Sequence, residues 1–418
     1  MESNTVLYKP LGELIDLLTD YHANGAYEKL KENVTLLDKE SHAVMIRTTN
    51  FEANDFTNNL IYIDEHAYEY LKKSKVYASD LIMNKIANPG TVYFMPEISK
   101  PVSLGMNLFL IRINTKKANP YFIYAYLRKN EHYVKSFASG STTKTITKDD
   151  VRRLKIYTPP LAEQNEIAQI LSTWDQAISA TEKLLENSQQ QKKALMQQLL
   201  TGKKRLLDEN GTKFRGDWKK GKLGDLAKID SGFAFKSSDF TDSFDGTPII
   251  RMSDFKNGGL NISEAAKVSK EITNSLQRFR LNSGDFVFGM SGSLSNYGWV
   301  KEKDLPCYLN QRVGRLVANE RGNQMFVTYL YLSEIVQQNI LDKAAGAAQL
   351  NISVNDLRSI QVFYPVKDEQ RKIAEVLSLA DQEIETLQKK LDCLKHQKKA
   401  LMQQLLTGKR RVKLGELK

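Results

Sequence analysis

The chain has 418 residues, enough for two or three domains that each bury a core, and 60 Lys+Arg against 49 Asp+Glu leave a formal charge of +11 that points toward a polyanionic partner. Its two cysteines, Cys307 and Cys393, stand at unrelated places in the two halves, which excludes a disulfide framework or a cysteine-based zinc site and suits a reducing cytoplasm. No run of about 18 apolar residues and no charged-then-apolar leader occurs, so the expectation is a soluble, cytoplasmic protein with no membrane contact.

In chain order, the first distinctive segment is Leu11-Gly-Glu-Leu14. Short strand signals beside turn residues follow at Ala43-Val-Met-Ile-Arg-Thr-Thr-Asn-Phe51 and Ser79-Asp-Leu-Ile82. A helix is predicted over Pro120 to Phe137, and Gly140-Ser-Thr-Thr-Lys-Thr-Ile-Thr runs into a short strand at Leu154 to Thr158. Mixed short strands and helices predict an α+β domain over residues 1–158.

Pro159-Pro160 then opens a long helical segment, 159–206, which Thr201-Gly202 closes, with proline at the start and glycine just past the end. Its residues Ile167, Leu171, Trp174, Ile178, Leu185, Leu195 and Leu199 keep the three- and four-residue spacing of a coiled-coil seam, on which Thr181, Ser188 and Lys192 are polar members.

The second half repeats this order. Leu223-Gly-Asp-Leu226 comes first, then Thr247-Pro-Ile-Ile-Arg-Met-Ser-Asp-Phe255 as the counterpart of Ala43 to Phe51, with Arg251 matching Arg47, a pairing that favours a structural ion pair at both arginines over base reading. Gly284-Asp-Phe-Val287, a helix over Phe326 to Lys343, Gly346-Ala-Ala-Gln-Leu-Asn-Ile-Ser and a strand at Ile360 to Tyr364 complete a second α+β domain, 207–364. Pro365 opens a second long helix, 365–412, with the seam Ile373, Leu377, Ala380, Ile384, Leu387, Leu391, Leu394, Leu401 and Leu405, one polar interruption at Lys398, and Thr407-Gly408 at its close.

Gln191-Lys-Lys-Ala-Leu-Met-Gln-Gln-Leu-Leu-Thr-Gly-Lys203 recurs unchanged as Gln397 to Lys409, a period of 397 − 191 = 206 residues. At that offset Glu163-Gln164, Ile167-Ala168 and Asp175-Gln176 match Glu369-Gln370, Ile373-Ala374 and Asp381-Gln382, so the chain is a duplicated unit. The second helix can pack on the first only by running back. That predicts an antiparallel pair with a pseudo-two-fold axis, a rod of about 40 residues or roughly 60 Å. A third copy of the tetrapeptide, Leu414-Gly-Glu-Leu417, falls in a terminal segment, 413–418, expected to dock on the first domain.

Several chemistries lack their residues. There is no phosphate loop, no Gly-x-Gly-x-x-Gly turn, no Gly-x-Ser-x-Gly elbow, no Asn/Asp-Pro-Pro-aromatic segment, and no metal spacing among His22, His42, His66, His132 and His396. The terminal Glu416-Leu-Lys418 is the one Glu-x-Lys and is not read as half of a nuclease site. The chain is read as non-catalytic.

Two drifted domains alternating with two near-identical helices, together with Glu-Gln-x-x-Ile-Ala-x-x-Leu from Glu163 and Glu369 and Lys-x-Ala-Leu-Met-Gln-Gln-Leu-Leu-Thr-Gly, resemble the specificity subunit of a bacterial type I restriction-modification system. The resemblance covers nearly the whole chain. It implies two target-recognition domains that read double-stranded DNA, and a helical spacer that docks two modification subunits. It assigns S-adenosylmethionine and adenine N6-methylation to those partners, and ATP- and Mg-dependent cleavage to separate restriction subunits, with no cofactor in this chain.

Under that reading the candidate DNA-binding residues are Lys85, Asn88, Ser141, Thr142, Thr143 and Lys144 in the first domain. In the second they are Ser291, Ser293, Asn296, Tyr297, Gln349 and Asn351. All are polar groups on loops, suited to phosphates or base edges but equally at home in solvated turns. Gln197, Gln198, Gln403 and Gln404 lie off the seam and are candidates to face a partner subunit. Two other readings stand beside this one: a duplicated coiled-coil scaffold whose charge is incidental, and a specificity subunit of another restriction-modification type.

Overall fold

The computed structural model describes residues 8–256, 259–345 and 350–412. The chain forms two compact units, Met1–Glu182 with Lys389–Lys418, and Lys183–Gln388. Each unit therefore combines one α+β domain with part of each long helix, and the dividing points fall inside the helices.

In the first unit an antiparallel sheet has the order Ile15–Asp20, Leu108–Ile113, Leu81–Asn84, Val92–Phe94. A mixed sheet beside it has the order Ile61–Ile63, Ala43–Ile46, Val102–Leu104, Lys75–Val76, with Ala43–Ile46 and Val102–Leu104 parallel. The strand Leu108–Ile113 is nearly all apolar because both its faces are covered. Phe109, Ile111 and Ile113 join the core under the helix Pro120–Lys129, whereas Leu108 and Leu110 pack with Ile46, Val102 and Leu104 of the mixed sheet.

The second unit repeats the plan. Its antiparallel sheet runs Ala227–Ser231, Val313–Ala318, Phe286–Gly289, Tyr297–Trp299, and Thr247–Ile250 pairs in parallel with Tyr308–Leu309 in its mixed sheet. Phe286 and Phe288 face the helical core while Val287 faces Ile250 and Leu309.

Two predicted helices are each broken in two. Pro120–Lys129 stops at Asn130, whose Nδ2 donates to Tyr126 O at 2.9 Å, and Glu131–Lys135 follows. Gln324–Leu332 stops at an extended Ser333, whose Oγ accepts from Val336 N at 3.4 Å and so starts Glu334–Ala344. Short helices absent from the sequence reading, Lys148–Arg153 and Val354–Ser359, start at the capping boxes Thr147/Asp150 and Ser353/Asp356.

Leu11 and Leu223 each open a one-turn 3-10 helix. Their amides donate to Leu154 O at 2.8 Å and Ile360 O at 2.9 Å, and all four leucines of the two tetrapeptides are at most 1% exposed. Gly12 and Gly224 let the turn lie against the neighbouring short helix, since a Cβ there would come within 3.2 and 3.1 Å of Arg152 and Arg358. The motif is thus a core element in both domains. Its third copy, Leu414 to Leu417, lies outside the described residues.

The long helices are Leu161–Leu199 and Lys367–Leu405, 39 residues each. Their first turns are built into the domain cores: Ile167, Leu171, Ile373 and Leu377 are all 0% exposed. Within the first unit Lys395 pairs with Glu182, Lys398 with Asp175 and Arg411 with Glu163, so the two helical segments run antiparallel. Within the second, Ser188 meets Glu383, Lys192 meets Asp381 and Arg205 meets Glu369, in the same opposite sense.

The polar seam residues are satisfied where they are buried. Thr181 Oγ1 donates to Ala177 O at 2.8 Å, and Ser188 Oγ to Glu383 Oε1 at 3.4 Å. The seam lysines are neutralised by Asp381 and Asp175, which also accept from Tyr329 and Tyr121. Leu185, Leu199, Leu391 and Leu405 are buried, while Trp174, Ile178, Leu195, Ala380, Ile384, Leu387, Leu394 and Leu401 are half-buried.

Candidate nucleic-acid interface

The polar loops singled out in the sequence are gathered in pairs by one repeated connection. In the first domain the strand Leu81–Asn84 runs on into Lys85 to Gly90, and Ile86 forms an antiparallel bridge with Thr145. Ile146 N donates to Lys85 O at 3.2 Å, and Ser139 and Thr145 exchange backbone hydrogen bonds at 2.9 and 2.8 Å, closing a narrow loop. Ser141, Thr142, Thr143 and Lys144 form its exposed tip, and Asn88 is exposed on the neighbouring loop.

The second domain has the same tie at the corresponding place. Ser291 bridges Asn351, Ile352 N donates to Met290 O at 3.0 Å, and Gly292 N donates to Leu350 O at 2.8 Å. Ser293 is exposed, and its Oγ donates to Asn296 Oδ1 at 3.2 Å. Asn296 and Tyr297 are half-buried, the ring of Tyr297 lying 5.9 Å from that of Phe286, and Asn351 is exposed. Gln349 lies outside the described residues.

Lys85 differs in state from the loop tip. Its ammonium is 3.1 Å from Asp20 Oδ2, and Lys148 reaches Asp20 Oδ1 at 3.0 Å. Burial pushes the Asp20 carboxyl up, but the hydrogen bonds from Lys148 and Lys85 outweigh burial and hold it below its ordinary value. Lys144 makes no ion pair among the described residues and presents a free ammonium beside three hydroxyls.

The structural ion pair expected at Arg47 and Arg251 is not found: among the described residues neither arginine pairs with a carboxylate side chain. Arg47 Nη2 donates to Asn59 O at 3.2 Å, while the Arg251 guanidinium lies 5.7 Å over the Phe240 ring. Their shared task is at the backbone, where the amides of Arg47 and Arg251 donate to Asn50 at 2.9 Å and Asp254 at 2.7 Å and start short helical turns. Repetition of the arginine therefore marks a turn.

Among the candidate partner-facing residues, Gln197 donates to Glu334 Oε2 at 2.9 Å, and Gln198, Gln403 and Gln404 are exposed on the long helices. Two charged groupings have no counterpart among the candidate residues singled out in the sequence. One is Asp20 with Lys148, which no local pattern announces. The other is the ion pair made by Glu163 with Arg411 and by Glu369 with Arg205, for which recurrence of all four residues at the 206 offset was the available signal.

Cys307 is buried, which pushes its thiol up to about 12, and no group of three His, Cys, Asp or Glu residues is placed to hold a metal ion among the described residues. No helix among the described residues is long and apolar enough to cross a membrane. Among the described residues the first domain's loops carry the side chains of Asn88, Ser141, Thr142, Thr143 and Lys144, and the second domain's carry Ser293, Asn296 and Asn351, all groups able to hydrogen-bond a polar ligand.

The family described as type I restriction modification DNA specificity domain matches twice, over residues 15–188 and 215–396. A Methanocaldococcus jannaschii protein named type I restriction enzyme MjaVIII specificity subunit is 28% identical over 338 residues, covering 78% of each chain. A second from that organism, named putative type I restriction enzyme MjaX specificity subunit, is 27% identical over 383 residues, 88% of this chain and 87% of its own. The fold is that of the crystal structure of the S subunit of a Type-I restriction-modification system from M. genitalium, with a TM-score of 0.60 at 17% identity over 97% of both chains. Two matched domains, spanning most of the sequence and each carrying the same loop pair, place this chain in the family of type I restriction-modification DNA specificity subunits.

Proposed function

We propose that this chain reads a split, asymmetric double-stranded DNA target, one half through each α+β domain, and carries the enzymes that act on it. The observation behind this is one architecture with two contents. The Ile86–Thr145 and Ser291–Asn351 bridges tie equivalent loops together, yet the loops differ in nearly every side chain. Equal scaffolds with unlike readers specify unlike half-sites, and the helical spacer sets the unread gap between them.

On this reading Lys144 and its neighbours position the duplex through phosphates. The hydroxyl and amide groups Ser141, Thr142, Thr143, Asn88, Ser291, Ser293, Asn296 and Asn351 test base edges, at about 1–3 kcal/mol for each good bidentate pair. The long helices dock two modification subunits, with Gln198, Gln403 and Gln404 exposed for that contact, and restriction subunits join through the complex. Adenine N6-methylation from S-adenosylmethionine and ATP- and Mg-dependent cleavage belong to those partners. This chain supplies binding and placement but no reacting group, and it works in the cytoplasm.

Base-resolution detection of N6-methyladenine in the source genome, with the gene intact and deleted, tests the proposal. Loss of one split motif on deletion is the expected result. An unchanged methylome in cells that express the chain with its methyltransferase would overturn it.

A further inference from the structure

An open cleft of about 410 Å³ on the first domain is walled largely by cations. Lys72, Lys73 and Lys75 come from one turn, Arg112 from the central strand and Lys148 from the start of a short helix. Three of the five are neutralised: Lys75 by Glu69 at 2.6 Å, Arg112 by Asp80 at 2.7 Å and Lys148 by Asp20 at 3.0 Å. Lys72 and Lys73 are exposed and have no carboxylate partner among the described residues. The cleft adjoins the candidate loops, because the Asp20 that holds Lys148 also holds Lys85.

In the second domain the equivalent turn is braced in a similar way, by an arginine two ladder positions away from the position that corresponds to Arg112. Arg112 reaches both Asp80 and the Lys75 carbonyl, at 3.1 Å, and Arg315 likewise reaches Asp285 at 3.4 Å and the Arg280 carbonyl at 3.1 Å. That brace aligns Lys75 with Arg280 and places Arg278 beside the position of Lys72 and Lys73. Arg278 and Arg280 are exposed and make no ion pair among the described residues.

We propose that these two braced basic turns, Lys72 to Lys75 and Arg278 to Arg280, seat DNA backbone phosphates flanking the bases that the loops read. The inference rests on the DNA-reading role proposed above and adds to it a site and a task. Cations without an internal counterion release condensed ions when they meet a phosphate, and a brace that fixes their main chain turns that attraction into a fixed register on the duplex. The contact carries no sequence information itself.

The test uses the full chain in complex with its methyltransferase, with Lys72→Gln/Lys73→Gln and Arg278→Gln/Arg280→Gln as double variants. Affinity is measured against salt on a duplex bearing the methylated motif and on a scrambled one. Each double variant should weaken both duplexes by roughly an order of magnitude at moderate salt. The slope of log affinity against log salt should become shallower by about 0.9 for every phosphate no longer neutralised, while the methylated motif stays the same. Lys72→Arg/Lys73→Arg should restore the slope, which a merely structural role does not require.

Wild-type slopes in both double variants overturn the proposal while leaving the DNA-reading role intact. Absence of salt-dependent binding by the wild-type complex defeats both. If inorganic phosphate raises the wild-type unfolding temperature at millimolar concentration while the DNA slopes of the variants do not move, the cleft is a free-anion site and the proposal fails.

Discussion

Arg411 closes a two-pronged ion pair on Glu163, 248 residues earlier in the chain, with Nε–Oε1 at 2.8 Å and Nη2–Oε2 at 2.7 Å, and the Glu163 side chain is only 4% exposed. One repeat away Arg205 does the same to Glu369, whose side chain is 0% exposed. The pair ties the end of one long helix to the start of the other within a single unit. Removing the arginine strands a buried carboxylate, so Arg205→Met should cost about 2–4 kcal/mol. Arg411 is itself 55% exposed, and water screens its pair, so Arg411→Met should cost less, about 1–2 kcal/mol. Urea unfolding of the two variants checks the order, and a larger loss at Arg411 contradicts it.

Gly202 and Gly408 sit just past the two helix ends at φ +72° and +69°, as the Thr-Gly signals predicted. A Cβ at Gly202 would lie 3.1 Å from the Trp218 ring, and one at Gly408 would lie 2.6 Å from the Tyr157 hydroxyl. Alanine at either position therefore combines a left-handed backbone penalty with a close approach, and a loss of about 1–3 kcal/mol is expected from each. Thermal unfolding of the two single variants measures it. Wild-type stability in both would show that these termini relax freely.

Asp20 masks two lysines at the edge of the candidate interface. Asp20→Asn should raise affinity for DNA of any sequence several-fold and steepen its salt dependence, since Lys85 and Lys148 then become available to phosphates. The same carboxylate gives a pH signature. Its folded-state pKa lies below the ordinary value of 3.8, so its contribution to stability is present above about pH 4 and is lost as pH falls through the lower folded value. Acid titration of wild type against Asp20→Asn should show the two curves converging at low pH, and a constant gap would contradict the pairing.

The two cysteines should differ sharply toward a thiol reagent. Cys393 is exposed, while burial pushes the Cys307 thiol up to about 12, leaving almost no thiolate at pH 8. One equivalent should react promptly in the native protein and a second only on unfolding. Two prompt equivalents would mean that the strand Tyr308–Leu309 and its neighbours open readily.

The parts legible from the sequence were those governed by local period and by repetition. Heptad spacing and the identical block located Leu161–Leu199 and Lys367–Leu405, and the 206 offset aligned loops whose side chains no longer resemble one another. Side-chain hydrogen bonding overrode period at Asn130 and Ser333, which interrupt apolar runs that read as continuous helix. The repeated arginines Arg47 and Arg251 suggested charge pairing, but their shared task is an amide that starts a turn, which residue type does not reveal. Asp20, Lys85 and Lys148 come together only through sheet and helix packing, so no window of sequence contains the cluster. The candidate tips are polar in a way that solvated turns share, and the bridges that pair them join residues far apart in the chain.

The central claim is that each domain reads its own half of the target. Exchange of residues 207–364 for the corresponding domain of another family member, followed by base-resolution mapping of N6-methyladenine in cells carrying the cognate methyltransferase, tests it most directly. The predicted result is a motif in which one half-site changes while the other half-site and the gap length stay the same. A methylated motif altered in both halves, or in neither, would contradict it.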